Sequence, residues 1–323
     1  LRNTSKPVRP YYVSPWQDEK PSKMPVPVLV PLRGDFFCMP FGGNSDPVAG
    51  ESHPPHGEIA GAAWRLNAMI ESSDSFRQGV DLRRYAINPT VSFSLGASTL
   101  LTLGYERAHD DRTADRGIPS FNGAPFSTDP GRFFGNAAQS EARSVVDGLS
   151  AVLEHEFANG WQLKNSLRLT HYDKFYQNVY PGSAVNATGN LTLSAYNNAN
   201  RRTNFFNQTD LTKTFSTGGV EHTLLVGAEM GHQNSVNKRN TGFFGAATSL
   251  TVPASAPLGT VTRFAPNTTD ADNGVTSDVF ALYVQDQAAL SPQWKVLAGL
   301  RYDSFKVTFD DRRSLVPATD LAR

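Results

Sequence analysis

Three short stretches of this sequence combine residue types that could bind a metal or a phosphate. The tetrapeptide HPPH at 53–56 spaces two imidazoles with rigid prolines, and HDD at 109–111 places an imidazole beside two carboxylates. A stable metal site usually needs three or four ligands, and a charged loop explains HDD as well as a metal does. GFFG at 242–245 resembles a flexible aromatic tip rather than a phosphate-binding loop. The sequence therefore predicts no metal site.

No group of catalytic residues is visible in the sequence either. It has no Ser-His-Asp arrangement, no P-loop and no glycine fingerprint joined to a strand, so it is predicted not to be an enzyme. The lone Cys38 excludes an internal disulfide framework. Lys plus Arg and Asp plus Glu are 30 each, so the net charge of zero gives no electrostatic reason to expect nucleic acid as a partner.

The hydropathy of the chain excludes a transmembrane helix but leaves a transmembrane β-barrel open. The mean hydropathy is −0.37, and the sequence contains no run of about eighteen apolar residues. Barrel strands alternate between apolar and polar side chains, so their average hydropathy is low.

Residues 279–307 carry a clear strand pattern, with two alternating runs on either side of a turn at 291–293. Successive side chains of a strand point to opposite faces, so this stretch predicts a β-hairpin with one apolar and one partly polar face. The apolar face of its second strand carries Trp294, Val296, Ala298, Leu300 and Tyr302, and the other face carries Lys295, Leu297, Gly299, Arg301 and Asp303.

The same unit recurs along the chain and predicts about nine antiparallel strands joined alternately by tight turns and long connections. Tight turns are predicted at 96–98, 158–160 and 216–219, and the Asn-Gly pair in the second is a strong hairpin signal. The long connections are 109–143, 175–201 and 232–277. The remaining strands are predicted at 61–72, 83–95, about 99–106, 144–157, 161–174, 202–215 and 220–231.

This pattern favours a transmembrane barrel over a soluble sandwich, propeller or jelly roll, which also contain alternating strands. Connections in compact soluble domains usually have about 4–6 residues, whereas all three long connections here fall at one end of the strands. Outer-membrane barrels have tight periplasmic turns and large extracellular loops. Aromatic residues near the turns fit an interfacial girdle or a sandwich core equally: Phe157, Trp161, Phe215 and Trp294.

Several stretches resemble the TonB-dependent outer-membrane receptors for ferric siderophores, in an order and spacing that fit consecutive barrel hairpins of that family. The resemblance covers roughly residues 58–310. The segments that carry it are AAWRLNAMIESSDSFRQGVDLRRYAINPTVSF (62–93), LTLGYERAHDDRTADRGIPSFNG (101–123), LEHEFANGWQLKNSLRLTHYD (153–173), HTLLVGAEM (222–230) and VFALYVQDQAALSPQWKVLAGLRYD (279–303).

The resemblance implies an all-β fold, namely part of a 22-stranded antiparallel barrel with a plugged lumen. It also implies a protein in the outer membrane of a Gram-negative bacterium, surrounded by outer-membrane lipid. A ferric siderophore would be its transported ligand, with no resident cofactor, and the TonB–ExbB–ExbD complex would energise release. The alternatives are a receptor of this type for cobalamin or an oligosaccharide, and a soluble β-rich binding module.

The resemblance also implies a ligand site on the long loops, where aromatic and basic residues collect. Aromatic faces and phenol hydroxyls suit large aromatic chelates, and Arg pairs with anionic groups; packing of the loops against each other is the alternative. The residues predicted to bind the ligand are Arg116, Phe121, Phe126, Phe133, Phe134, Tyr172, Tyr176 and Tyr180. Further residues of the same types in these loops are Arg112 and Arg132 in 109–143, and Phe175 and Tyr196 in 175–201.

Four charged residues are predicted to face the lumen and the plug: Lys164, Arg168, Arg301 and Asp303. Plain solvation of a polar wall is the alternative for them. Residues 58–323 are predicted to be a partial barrel, since about nine strands do not close a barrel of 22. Residues 1–57 match neither plug nor barrel and are left unassigned. A frameshifted translation, a mis-assembled end and an unusual insertion are the alternative explanations for this segment. The sequence is therefore expected to be part of a longer receptor.

Overall fold

The computed structural model describes residues 34–44, by their backbone, and residues 61–313. The rest of the unassigned segment 1–57, including HPPH, lies outside the described residues. In chain order the strands are β1 (Gly34–Asn44), β2 (Ala62–Asp74), β3 (Asp81–Ser94), β4 (Thr99–Arg112), β5 (Ser120–Phe121), β6 (Ala124–Pro125), β7 (Glu141–Glu156), β8 (Trp161–Pro181), β9 (Asn190–Thr217), β10 (Val220–Phe243), β11 (Ser249–Pro253), β12 (Arg263–Ala265), β13 (Asp272–Ala289) and β14 (Lys295–Asp311). One turn of 3₁₀ helix spans Ala137–Gln139.

The long strands form one antiparallel sheet in the order β1-β2-β3-β4-β7-β8-β9-β10-β13-β14. Short β11 adds to β9, β12 adds to β10, and β5 pairs with β6 in a separate ribbon. Each long strand lies beside its predecessor, which confirms the predicted all-β meander of hairpins. Within residues 34–44 and 61–313, the end strands β1 and β14 do not pair with each other. No helix among these residues is long and apolar enough to cross a membrane.

The tight turns lie where the sequence predicts them. Between β9 and β10 the chain reverses at Gly218 and Gly219, whose φ angles are 59° and 83°. A two-residue turn with both φ angles positive matches the right-handed twist of the flanking strands, and glycine adopts it without strain. Gly160, with φ of 80°, closes the turn between β7 and β8 in the predicted Asn-Gly pair.

The cross-strand register gives the sheet a polar face and an apolar face. Partners in an antiparallel ladder share a face, so one row of the register identifies each face across six strands. The polar face carries, in consecutive partners, Arg301, Tyr283, Gly227, Asp210, Lys164 and Glu154. The next row belongs to the apolar face and carries Leu300, Val284, Val226, Leu211, Leu163 and His155.

The apolar face is open in the described residues. Leu300 is 79% exposed, and Leu282 and Trp64 are each 48% exposed. An exposed apolar surface of this extent indicates contact with another protein or with a membrane. The alternation along each strand is that of a barrel wall with lipid on one side. Val296, Ala298, Leu300 and Tyr302 share this face as predicted, whereas Trp294 precedes β14 and belongs to the turn.

The strands continue far beyond the predicted boundaries, and this corrects the predicted long connections. Strand β8 runs to Pro181 and β9 begins at Asn190, so most of the predicted loop 175–201 is a paired hairpin. Likewise β10 continues to Phe243 and β13 begins at Asp272 within 232–277. Directly beyond the apolar belt both faces of the sheet are polar, and near the tip of the β8–β9 hairpin Val179, Leu191 and Leu193 are buried. The sequence therefore loses its regular alternation although the hydrogen-bonded ladder continues.

A hydrophobic core lies at the end of the sheet that carries the long connections, which we call the loop end. It joins residues from three connections and the strand extensions that frame them, so these segments pack as one body. Its buried members are Phe134, Val185, Leu191, Leu193, Val252 and Ala254.

Candidate functional site

Arg116 lies at the centre of three tyrosines at the loop end. Its Nε donates a hydrogen bond to the hydroxyl of Tyr176 at 3.1 Å, and its Nη2 donates to the hydroxyl of Tyr196 at 2.6 Å. The guanidinium carbon also lies 4.5 Å from the ring centroid of Tyr180, within the range of a cation–π contact. We call Arg116, Tyr176, Tyr180 and Tyr196 the tyrosine cage.

The sheet register brings the three tyrosines together. Tyr176 and Tyr180 alternate with Asn178 on the polar face of β8, and Tyr196 of β9 is the cross-strand partner of Asn178. The ring centroid of Tyr196 therefore lies 5.5 Å from that of Tyr176 and 5.8 Å from that of Tyr180. Arg116 reaches this group from the connection that follows β4.

The cage presents a cation and phenol donors together. Burial raises the pKa of the Tyr196 phenol, so this group is neutral at physiological pH. The pKa of Arg116 is raised as well: burial opposes this shift, and the hydrogen bond and charge interaction with Tyr176 outweigh it. Because the phenol oxygens of Tyr176 and Tyr196 accept bonds from Arg116, their O–H groups are free to donate elsewhere. Such a set suits an anionic or aromatic ligand.

A second arginine holds the other side of Tyr196. The guanidinium carbon of Arg239 lies 4.1 Å from the Tyr196 ring centroid, and its Nε is 3.1 Å from Oδ1 of Asp270. Asp270 is 4% exposed. Its Oδ2 accepts hydrogen bonds from the backbone N–H and hydroxyl of Thr241 and from the N–H of Asn267. Asp270 therefore fixes Arg239 against the cage.

The sequence did not single out Arg239 or Asp270, because both lie in a stretch without apolar periodicity. The available signal was weaker: Arg239 continues the polar-face alternation of β10 from Glu229. Tyr196 was noted among the aromatic residues of 175–201 but was not among the residues predicted to bind the ligand.

Three of the predicted aromatic residues belong to the loop core. Phe134 is 2% exposed and packs in the loop core, and a ligand contact by it stays a prediction. Its ring meets that of Phe126 edge-on at 6.4 Å, and Phe126 meets Phe121 in the same way. Ligand contacts by the partly buried Phe121, Phe126 and Phe133 stay a prediction.

Tyr172 lies on the polar face of β8, and Lys174 separates it from Tyr176 on that face. The Lys174 ammonium is 5.5 Å from the centroid of its ring. Tyr172 is therefore separated from the cage along the strand, and the structure brings only Arg116, Tyr176 and Tyr180 of the predicted set into one group. A ligand contact by Tyr172 also stays a prediction.

Side-chain amides clamp two of the connections together next to the cage. Asn136 donates to the carbonyl of Gly259 at 3.1 Å. Gln139 donates to the carbonyl of Val261 at 2.9 Å and accepts from the Val261 N–H at 2.8 Å. Such paired contacts hold the connection after β4 against the one after β10. The connection that carries Arg116 is therefore held in place without a ligand.

The four charged residues predicted for the lumen all lie on the polar face and pair with neighbouring strands. Lys164 is 3.3 Å from Glu154, and Arg168 is 3.4 Å from Glu106. Arg301 is 3.1 Å from Glu229 and 2.9 Å from Asp303. These pairs are exposed, so each contributes little to stability. Contact of this face with a plug stays a prediction.

The stretch HDD at 109–111 does not gather metal ligands. The imidazole of His109 stacks on Tyr85 with ring centroids 5.1 Å apart, and Asp110 pairs with Arg112 at 3.4 Å. Across residues 61–313, no group of three or more His, Cys, Asp or Glu side chains is placed to hold a metal ion.

A comparison with protein families matches residues 86–321 to the TonB dependent receptor-like β-barrel. The chain belongs to this family. A TonB-dependent receptor barrel places the apolar face of the sheet in outer-membrane lipid, so the location is the outer membrane of a Gram-negative bacterium. It places the polar face in the lumen and the loop end outside the cell. The family consists of receptors and transporters.

Curated relatives of this chain include one receptor named for a catecholate siderophore and one named for metal-pseudopaline. The chain is 28% identical over 273 residues to the catecholate siderophore receptor Fiu of Escherichia coli K12, covering 77% of this chain and 35% of Fiu. It is 26% identical over 268 residues to the metal-pseudopaline receptor CntO of Pseudomonas aeruginosa PAO1, covering 78% of this chain and 35% of CntO. The chain thus spans about a third of the length of these relatives.

Solved receptor structures share the fold of this chain. The siderophore receptor PiuA from Acinetobacter baumannii superposes with a TM-score of 0.69 at 20% identity, covering 88% of this chain and 43% of PiuA. The open form of Fiu from E. coli K12 gives a TM-score of 0.64 at 23% identity, covering 86% of this chain and 44% of Fiu. These likenesses identify the described sheet as a section of a receptor barrel.

Proposed function

We propose that this chain is part of a receptor that captures a ferric siderophore outside the cell and imports it with energy from the TonB–ExbB–ExbD complex. The observation that carries the proposal is the tyrosine cage. It lies on the lumen side of the wall at the loop end, where an incoming ligand first meets the barrel. The names of Fiu and PiuA support a siderophore as the cargo.

The chemistry of the cage fits an aromatic, anionic chelate. A ferric catecholate offers flat rings to Tyr176 and Tyr180 and negative oxygens to Arg116. Phenol O–H groups that are already oriented by Arg116 donate to those oxygens without a large reorganisation. The receptor does no chemistry on the chelate, so it is not an enzyme, and the iron is cargo rather than a resident cofactor.

A chelate of a metal other than iron is the second candidate, and the likeness to the metal-pseudopaline receptor CntO favours it. The cage recognises the organic part of a chelate and its charge, both of which such a ligand also presents. Cobalamin and neutral oligosaccharides carry no net negative charge, so the cations of Arg116 and Arg239 beside the Tyr196 ring favour an anionic chelate over these cargoes.

The polar face has a supporting role in this proposal. Lys164, Arg168, Arg301 and Asp303 would contact a plug that fills the lumen, exchanging weak exposed pairs with the wall for pairs with the plug. Exposed pairs are worth about 0–1 kcal/mol each, so such contacts hold a plug while still allowing it to move.

The proposal is tested with the receptor containing this chain, produced in outer membranes of a strain without other siderophore receptors. It should sediment with outer membranes, migrate heat-modifiably on a gel, and bind a ferric tris-catecholate in an equilibrium binding assay. Uptake of labelled iron should require TonB. Binding of cobalamin or an oligosaccharide without binding of any metal chelate would refute the proposal.

A further inference from the structure

Next to the tyrosine cage, towards the tight turns, the polar face carries a hollow of about 530 Å³ with a different lining. In the register Lys174 pairs with Asn200, Asn200 pairs with Asn237, and Tyr172 pairs with Arg202. These residues share the face of Tyr176, because cross-strand partners and alternate residues lie on one side of a sheet. We call the hollow the amide shelf; its lining includes Lys174, Tyr176, Asn198, Asn200, Arg202 and Asn237.

Two cations of the amide shelf lack an acidic partner. The carboxylate of Asp110 also lines the hollow but pairs with Arg112 at 3.4 Å. In the described part of the chain, no carboxylate lies within salt-bridge distance of Lys174 or Arg202, and both side chains are exposed. Elsewhere on this face the predicted lumen charges do have partners. The shelf therefore has an excess of positive charge and faces the lumen.

The lining supplies hydrogen-bond donors in addition to charge. Asn198, Asn200 and Asn237 line the hollow together with Lys174 and Arg202, and the Asn200 amide also donates to the hydroxyl of Ser235 at 3.5 Å. Amide N–H groups beside two cations favour a ligand with several negative oxygens, since each such contact is a charge-assisted hydrogen bond. The shelf contributes little flat aromatic surface compared with the cage.

We propose that the amide shelf is an anion-binding subsite that takes the negative oxygens of the transported chelate, while the tyrosine cage holds its aromatic part. This assignment rests on the proposed function. Tyr176 belongs to the cage and also lines the shelf, so one chelate can touch both, or pass from the cage to the shelf. The shelf thereby adds a preference for negatively charged chelates.

The test compares two chelates of similar size and different charge. The double variant Lys174→Gln/Arg202→Gln is measured beside a control, Lys238→Gln. Lys238 lies on β10 at about the height of the shelf, but its side chain is on the opposite face of the sheet. The anionic ferric tris-catecholate should bind the double variant about tenfold more weakly, and with a flatter salt dependence, because two charges are lost. The neutral ferric tris-hydroxamate should change less than about twofold, as should both chelates with the control.

The outcomes separate this inference from the proposed function. If the wild type binds a chelate and the double variant binds the anionic chelate equally well, the shelf is not a subsite. If the wild type binds no metal chelate, the proposed function fails. The shelf is then tested with inorganic pyrophosphate in the same assay, where loss of binding in the double variant supports it and unchanged binding or no binding overturns it.

Discussion

Replacing Arg116 by Ala gives the sharpest test of the tyrosine cage. The substitution removes the cation, frees the hydroxyls of Tyr176 and Tyr196, and removes the contact with the Tyr180 ring at 4.5 Å. Bonds that involve a charged group contribute about 1.5–3 kcal/mol. Since Arg116 is partly exposed, the lower end of this range applies.

The expected loss of ligand binding follows from that range. A loss of about 1.5–2 kcal/mol raises the Kd for a ferric tris-catecholate about 10- to 30-fold. Arg116→Lys should give an intermediate Kd, because an ammonium keeps the charge but cannot donate through a planar fork to two phenols. Neither substitution should change heat-modifiable migration, since Arg116 lies in a connection and not in the sheet.

The assay is equilibrium binding to outer membranes, with Arg143→Ala as the matched control. Arg143 also lies against an aromatic ring, 5.8 Å from the centroid of Phe175. It lies near the same height of the wall but on the opposite face. A Kd for Arg116→Ala within twofold of that for the wild type and for Arg143→Ala would refute the assignment of the cage as the ligand site.

Three further predictions concern the frame that holds this site. Asp270→Ala leaves the donors of Thr241 and Asn267 without an acceptor, which costs about 1–3 kcal/mol per buried group; limited proteolysis should cut the variant near 266–272 faster than the wild type. Phe134→Ala empties part of the loop core and should cost about 3–5 kcal/mol, so the loops should become protease-sensitive at lower temperature; unchanged sensitivity would contradict the packing. Leu300→Lys puts a charge on the lipid side at a cost of about 2–4 kcal/mol at the bilayer centre and should reduce assembly in outer membranes, whereas Leu297→Lys on the lumen side should not.

The sheet was predictable because a membrane wall imposes alternation on every strand. One row of the register carries Leu300, Val284 and Val226, because all three side chains face lipid. The tight turns were predictable from local chemistry, since positions such as Gly160 and Gly219 need a positive φ. Strand length was not predictable by the same rule, because strands β8 and β9 continue where neither face needs to be apolar.

The candidate site was predictable in part for a related reason. Composition located Arg116, Tyr176 and Tyr180, because aromatic and basic residues collect in the polar stretches that the sequence predicts to be loops. Composition does not distinguish an aromatic residue that packs a loop from one that meets a ligand, so the burial of Phe134 was not predictable from it. Long-range pairs such as Arg239 and Asp270 depend on register, which only the folded sheet supplies.

The height of the cage above the membrane follows from where the apolar row of β8 ends. On the outward face Leu167 and Leu169 are followed by His171 and Asp173. In β10, Met230 in the row of Leu167 is followed by His232 in the row of Leu169. The lipid boundary therefore crosses β8 near Leu169. Tyr176 lies about seven residues further on, which is about 23 Å along a strand, or about 16–19 Å of height at the usual tilt of about 35–45°.

This height explains why the loop end needs a hydrophobic core of its own. Lipid stabilises the outward face only up to Leu169, and the hairpin of β8 and β9 continues into water, polar on both faces until Leu191 and Leu193 near its tip. Isolated hairpins are marginally stable in water. Burial of Phe134, Leu191 and Leu193 against the connections replaces the membrane as the apolar phase. The tyrosine cage lies on the other face of the same hairpin, so the ligand site depends on the strand extensions that this core supports.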